Sequence, residues 1–274
     1  MLRFLAGILS VIAVSASAMP QAALTSGSNS TKAIAHLKDF QVIELRRYTT
    51  KEGERQHFAQ YFDTYFPEAL EQLGTIVFGE FLERGTASGF TWIRGFHGMD
   101  DRAIANAVFY YGPVWKEHRS TMNDLLKDSD NVLLLRPLGP ERGVTILPAV
   151  DPVTEADGAQ GIVVAEIFAV KANSMEAFAK EAETTFAAYR GTGAREAGVL
   201  VTLDVTNNFP QLPVRTDGPY LVWLGIQKNS QMEDDFSAVV ERSLRPLSAA
   251  GLLRGTPELI VLDPTRRSRL RWVP

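Results

Sequence analysis

Cysteine is absent from the 274 residues. That excludes disulfides, thiolate metal sites, iron–sulfur clusters and a cysteine nucleophile. No apolar run reaches the ~20 residues that a membrane-spanning helix needs. Charge of one sign is not in large excess: 28 Lys and Arg stand against 32 Asp and Glu, a net charge of −4. Binding nucleic-acid phosphates calls for clustered positive charge, which this balance does not offer. Also missing are a G-x-S-x-G elbow, H-E-x-x-H, a Walker loop and EF-hand spacing. What is present is ordinary for a globular chain, 45% hydrophobic and 22% charged, which excludes a disordered, collagen-like or coiled-coil protein.

The first eighteen residues do not read as part of the fold. Arg3 supplies a positive charge, Phe4 to Val14 is apolar, and Ala16-Ser17-Ala18 offers small residues where a signal peptidase reads. A secretory signal peptide over 1–18 is expected, with export to a periplasmic or extracellular space and a mature start near Met19. The alternative, a membrane anchor, is disfavoured by the shortness of the run. Residues 19–40 read as a flexible, small and polar lead-in.

From Phe40 the chain is periodic. Val42 to Tyr48 alternates as a strand. Glu54 to Leu73 carries Phe58, Phe62, Phe66 and Leu70 on one helical stripe, with Pro67 midway and Gly74 as a stop. Ile76–Glu83 and Phe90–Phe96 read as strands joined by a Gly-rich turn. Asp100 to Lys127 is helical with a break at Gly112-Pro113, and Val132–Arg136 closes the unit. Residues 138–160 form a connector. The same β-α-β-β-α-β rhythm then recurs over 161–263. Its strands are Ile162–Val170, Val199–Val205, Tyr220–Ile226 and Glu258–Leu262, and its helices start after Asn173 and at Ser230. Asn173 to Glu176 reads as a capping box. Glu44 and Glu166 fall at matching points of the two first strands, and Gly95 and Gly225 at matching points of the two third strands. The expected fold class is α+β: two tandem ferredoxin-like halves, 41–137 and 161–263. Each four-stranded sheet has one face bare of helices, so the halves are expected to pair as an intramolecular αβ barrel. Residues 264–274 form a basic tail, expected to lie on the protein's own acidic surface with Leu270 and Trp272 as anchors.

Glu44-Leu45-Arg46-Arg47-Tyr48, the turn at Lys51-Glu52-Gly53, Val77-Phe78-Gly79 and Pro113-Val114-Trp115 together resemble the NIPSNAP family. The resemblance covers about 41–137. Over 161–263 Glu166 is kept, Phe168 and Val170 replace Arg46 and Tyr48, and no P-x-W is found, so the second repeat is degenerate. The resemblance implies a dimeric αβ-barrel fold. That superfamily includes monooxygenases and isomerases as well as members without known activity, and a fold alone does not transfer a function.

The residues themselves nominate a site. Glu44, Arg46 and Tyr48 share one strand face by their i, i+2, i+4 spacing, and Trp92 and Arg94 share one face of the third strand. With Ile43 and Leu45 given to the helices, this polar set is expected to face the barrel interior as a small-molecule pocket. Tyr48 and Arg46 would stabilise an anionic oxygen, and Glu44 would serve as a base; the alternative is a structural ion pair. His97, Trp115 and His118 are further ligand-binding candidates, although Trp115 also reads as a packing residue and the two histidines as rim residues. No cofactor and no metal are expected. The expected partner is a small apolar or anionic molecule, with no nucleic acid and no stable membrane insertion, and with self-association left open. Two functions fit: a cofactor-free oxygenase or isomerase, and a non-catalytic interaction module.

Overall fold

A computed structural model describes residues 40–228 and 230–274, without the side chains of 230–235. The expected signal peptide and nearly all of the lead-in lie outside the described residues. The first half contains β1 (Val42–Thr50), α1 (Arg55–Tyr65), α2 (Pro67–Glu71), β2 (Ile76–Glu83), β3 (Gly89–Phe96), α3 (Met99–Tyr110), α4 (Pro113–Leu125) and β4 (Leu126–Pro137). The second contains β5 (Ile162–Ala169), α5 (Met175–Gly191), β6 (Arg195–Thr202), β7 (Tyr220–Gln227), α6 (Ser230–Ala249) and β8 (Glu258–Pro264).

The eight strands close into one barrel in the order β1-β3-β2-β8-β5-β7-β6-β4. Each half contributes four adjacent antiparallel strands, in the ferredoxin-like order. Two seams join them: β2 to β8 through Phe81–Pro264 to Glu83–Leu262, and β4 to β6 through Leu135–Thr202 to Pro137–Leu200. Closure inside one chain leaves no free sheet edge, which removes the usual route to edge-to-edge aggregation.

The barrel is filled. One buried cluster draws on every strand, among them Ile43, Leu45, Phe78, Ile93, Leu135, Val163, Leu200, Val222 and Leu262. Burying a side chain of this size contributes about 1.5–3 kcal/mol, so this interior is a main source of stability. The opposite strand faces pack under the helices as separate aromatic clusters, one in each half. The polar triplet therefore faces the helices, contrary to the expectation from sequence. Both faces of each sheet are buried, and the face shared with the second sheet takes mainly apolar residues, with Arg47, Glu83 and Thr91 joined by hydrogen bonds at one end.

Smaller differences have local causes. Pro67 starts a new helix at its first turn, where a missing N–H costs nothing, so the expected single helix is split in two. Asn173 adopts φ 59°, and Ser174 takes the N-cap position without a side-chain cap bond, so the capping box does not form. The second β strand of the second half starts four residues before Val199. Gly95 and Gly225 lie on opposite faces: an added Cβ would meet Phe78 and Ile43 in the barrel at Gly95, but the Trp223 ring under the helices at Gly225.

The tail is strapped across both halves. Leu270 is fully buried in the barrel cluster, with Trp272 packed against it. Arg269 forms a bidentate pair with Glu71 on α2, and Arg271 one with Glu155 in the connector. Arg267 pairs with Glu68.

Candidate functional site

β1 sets Glu44, Arg46 and Tyr48 in a row beneath the helices. In the β1–β3 register Glu44 lies opposite Arg94, and Arg46 opposite Trp92. Glu44 is fully buried and accepts three charged hydrogen bonds: from Arg46 Nη1 at 2.8 Å, Arg94 Nε at 2.7 Å and Arg102 Nε at 2.6 Å. Arg102 comes from the first turn of α3. Burial alone would raise the Glu44 pKa, but Arg94, Arg46 and Arg102 hold the carboxyl well below its ordinary range. A carboxylate so held is a poor base. Its work is to carry three guanidiniums, and it leaves two positive charges unbalanced inside the cluster.

The cations also stack on rings. The Arg46 guanidinium lies 5.5 Å from the Tyr48 ring centre and 5.7 Å from that of Trp92, and Arg94 lies 5.0 Å from Trp92 and 5.1 Å from Phe96. Arg46 Nε donates to the Tyr48 hydroxyl at 2.8 Å. Burial would lower the Arg46 pKa, yet Tyr48 and Glu44 raise it, so its charge is permanent. Several buried donors have no partner among the described residues: Arg94 Nη1 and Nη2, Arg102 Nη2 and Trp92 Nε1.

Above this cluster lies a pocket of about 490 Å³, between the sheet and the helices of the first half. Arg46, Tyr48 and Trp92 form its floor, and Phe62, Phe109 and Trp115 stand in its walls. Trp115 does both things foreseen for it, packing on Phe66, Phe109 and Tyr110 while lining the space. Tyr110 also lines the pocket; burial raises its pKa, and Arg94 partly offsets this. The roof comes from the second half. Phe209, Leu212 and Pro213, in the loop after β6, close over the opening. Asn207 and Asn208 each accept from Arg102 Nη1, at 3.0 and 2.9 Å, and Phe209 packs against Tyr110 and Tyr111.

Arg94 lies beneath the floor, outside the pocket lining. The two histidines are elsewhere. His97 stacks on Phe40 at 4.3 Å, and His118 joins the Tyr61 hydroxyl at 2.7 Å and stacks on Tyr65. Neither lines the pocket, so the structure does not bring these two candidates to the site. Among the described residues, no group of three or more His, Asp or Glu side chains is placed to hold a metal ion. Sequence reasoning missed Arg102, Tyr110 and the roof. A signal existed for Arg102, since a cation in the first turn opposes the helix dipole and so needs a nearby anion.

Among the described residues, the same region of the second half is packed with rings. Trp223 stacks between Phe186, at 6.3 Å, and Phe236, at 5.6 Å, with Tyr189 edge-on at 5.1 Å. Glu166 is buried there with no cation beside it among the described residues. Burial pushes its pKa up to about 7, which Tyr189 only partly offsets, and the two groups do not reach good hydrogen-bond geometry.

No protein-family model and no curated protein sequence matches the chain. Its structure is similar to a monooxygenase-like protein of Fusobacterium nucleatum, with TM-score 0.55 and 8% identity over 85% of this chain and 96% of that one. It is similar to another from Lactobacillus acidophilus, with TM-score 0.52 and 12% identity over 82% and 94%. A NIPSNAP family protein of Agrobacterium tumefaciens matches 36% of this chain and 89% of its own, at 22% identity and TM-score 0.33. At these identities the likeness is one of fold. The chain has the dimeric αβ-barrel architecture with both halves in one polypeptide, and NIPSNAP-domain proteins are among the structures it matches.

Proposed function

We propose that this is a small-molecule-binding protein whose site is the pocket between sheet and helices of the first half, and that it acts on its ligand as a cofactor-free oxygenase or isomerase. One observation carries the reading: an aromatic pocket stands over a buried cluster with two uncompensated positive charges and unpaired donors. Such a floor stabilises negative charge that develops on a ligand oxygen, and the low-dielectric surroundings strengthen the effect. Arg46 and Tyr48 are the residues that would receive that oxygen. Glu44 holds Arg46 in place. A proton lost by an acidic C–H or O–H of the ligand would pass to solvent, driven by the cationic floor rather than by a dedicated base.

The test is a thermal-shift screen of small organic acids, phenols and 1,3-diketones, followed by product analysis under air and under nitrogen. A ligand that raises the Tm with concentration, and is converted by the wild type but not by Tyr48→Phe or Arg46→Lys, is the expected outcome. Binding without conversion of any hit would favour the non-catalytic alternative, for which the ring packing of the second half is the supporting observation. We also propose export, on the pattern of Arg3, Phe4 to Val14 and Ala16 to Ala18. Mass determination of the protein from its native host should give a chain starting near Met19, and an intact N-terminus there would refute it.

A further inference from the structure

We infer that the ligand of the first-half pocket is a planar aromatic acid or phenol bound as its anion, with its ring roofed by Phe209 from the second half; this rests on the reading of that pocket as a small-molecule site. Charge is the first argument. Glu44 balances one of three guanidiniums that are all essentially buried. Two of the three Arg46 nitrogens are engaged, Nε by Tyr48 and Nη1 by Glu44. Neither bond uses Nη2, and Arg46 lines the pocket. Trp92 Nε1, on the same floor, is a buried donor without a partner among the described residues. Buried donors and charges without partners are costly. An anionic oxygen supplies both the acceptor and the missing charge. A neutral ligand supplies only the acceptor, and a cation would add repulsion.

Shape is the second argument. The walls are rings set at mutual angles, such as Phe62 against Trp92 at 4.9 Å and 61°. Rings in this arrangement gain most from another flat ring, through offset and edge-to-face contact worth about 0.5–1.5 kcal/mol each beyond burial. The volume of about 490 Å³ lies inside the range of roughly 300–1,000 Å³ common for small-molecule pockets.

The roof is the third argument. Phe209 closes the pocket from the other half of the chain, and it is positioned from the charge cluster itself: Arg102 Nη1 holds Asn207 and Asn208 while its Nε holds Glu44. Asn208 is also tied back through its Nδ2 to the Met99 carbonyl at 2.7 Å. Roof and floor thus share one anchor. The second half adds an internal comparison. Among the described residues, Glu166 stands there without cations and the space under the helices is packed with rings, while the first half has both the cations and the pocket.

The inference is tested on the whole protein with three probes followed by calorimetry: 2-naphthoate, its neutral carboxamide, and decanoate. The expected result is that 2-naphthoate binds at least about tenfold more tightly than either of the others, and that Phe209→Ala weakens it by about fivefold or more, in line with one lost aromatic contact. Equal binding of the carboxamide would overturn the anionic assignment. Equal binding of decanoate would overturn the aromatic one. Unchanged binding by Phe209→Ala would overturn the roof. In each of these cases the reading as a small-molecule site still stands. Failure of all three probes at millimolar concentration would overturn the inference and that reading together. The probe comparison is made on the wild type, so it does not depend on the folding of any variant.

Discussion

Glu44 receives Arg94 across the β1–β3 pair, Nε to Oε2 at 2.7 Å, with both residues fully buried. The same strand register in the second half sets Glu166 opposite Trp223. One acid is held by cations and ionised; the other is surrounded by rings and titrates near neutrality, at about 7.

Removing the anion should harm the fold more than removing any one cation. Glu44→Ala leaves three buried guanidiniums without a counter-charge, and a loss of about 3–5 kcal/mol is expected. Arg46→Ala leaves Glu44 with Arg94 and Arg102, so its cost should be clearly smaller and should come from lost stacking and packing. Urea unfolding of both variants measures the difference. An Arg46→Ala loss equal to or above that of Glu44→Ala would contradict the assignment of Glu44 as the hub.

Glu166 should make stability fall as pH rises. In the folded chain it titrates at about 7, against an ordinary value of 4.5. Below pH 4.5 it carries a proton whether folded or unfolded, so it imposes no penalty. Between 4.5 and 7 only the folded form keeps the proton, and above 7 burial of the charge is fully felt, at roughly 3 kcal/mol. Glu166→Gln should therefore be more stable than the wild type at pH 8 and close to it at pH 4.5. Chemical unfolding at the two pH values decides, and a pH-independent difference would refute the prediction.

The tail should depend more on its apolar anchor than on its exposed pair of Arg267 with Glu68. Leu270→Ala empties a fully buried place in the barrel core and should cost about 2–5 kcal/mol. Arg267→Ala breaks a pair whose members are both more than 40% exposed, and the change should stay within about 0.5 kcal/mol. Comparable losses in thermal unfolding would mean that the strap works by ion pairing.

Much of this architecture was legible because it rests on local pattern. Strands of period two, helices of period 3.6 and their recurrence over 161–263 pointed to a barrel within one chain. The orientation of β1 was not legible. Alternation separates Ile43 and Leu45 from Glu44 and Arg46, but both sets end up buried, and nothing local says which faces the second sheet. Alternation alone points the polar face at a barrel cavity, whereas the barrel interior is where two largely apolar sheets exclude water best. Glu44, Arg46, Tyr48 and Trp92 still come together, since strand register does not depend on which side is inward. His97 and His118 were grouped on residue type alone and go to separate ring stacks. The roof had no signal. Asn207 to Pro213 reads as an ordinary loop, and its place over Tyr110 comes from the seam between β4 and β6, a contact between residues far apart in sequence.

Those seams bear on stoichiometry. In a barrel made from two identical chains, every substitution occurs twice and both cavities open or close together. Here β2–β8 and β4–β6 join unlike sheets, so one half can silt up while the other stays open and borrows a cover from its neighbour. A ligand of the first-half pocket therefore has no symmetry-related twin among the described residues, and its binding there should follow a simple hyperbola with a Hill coefficient of about one.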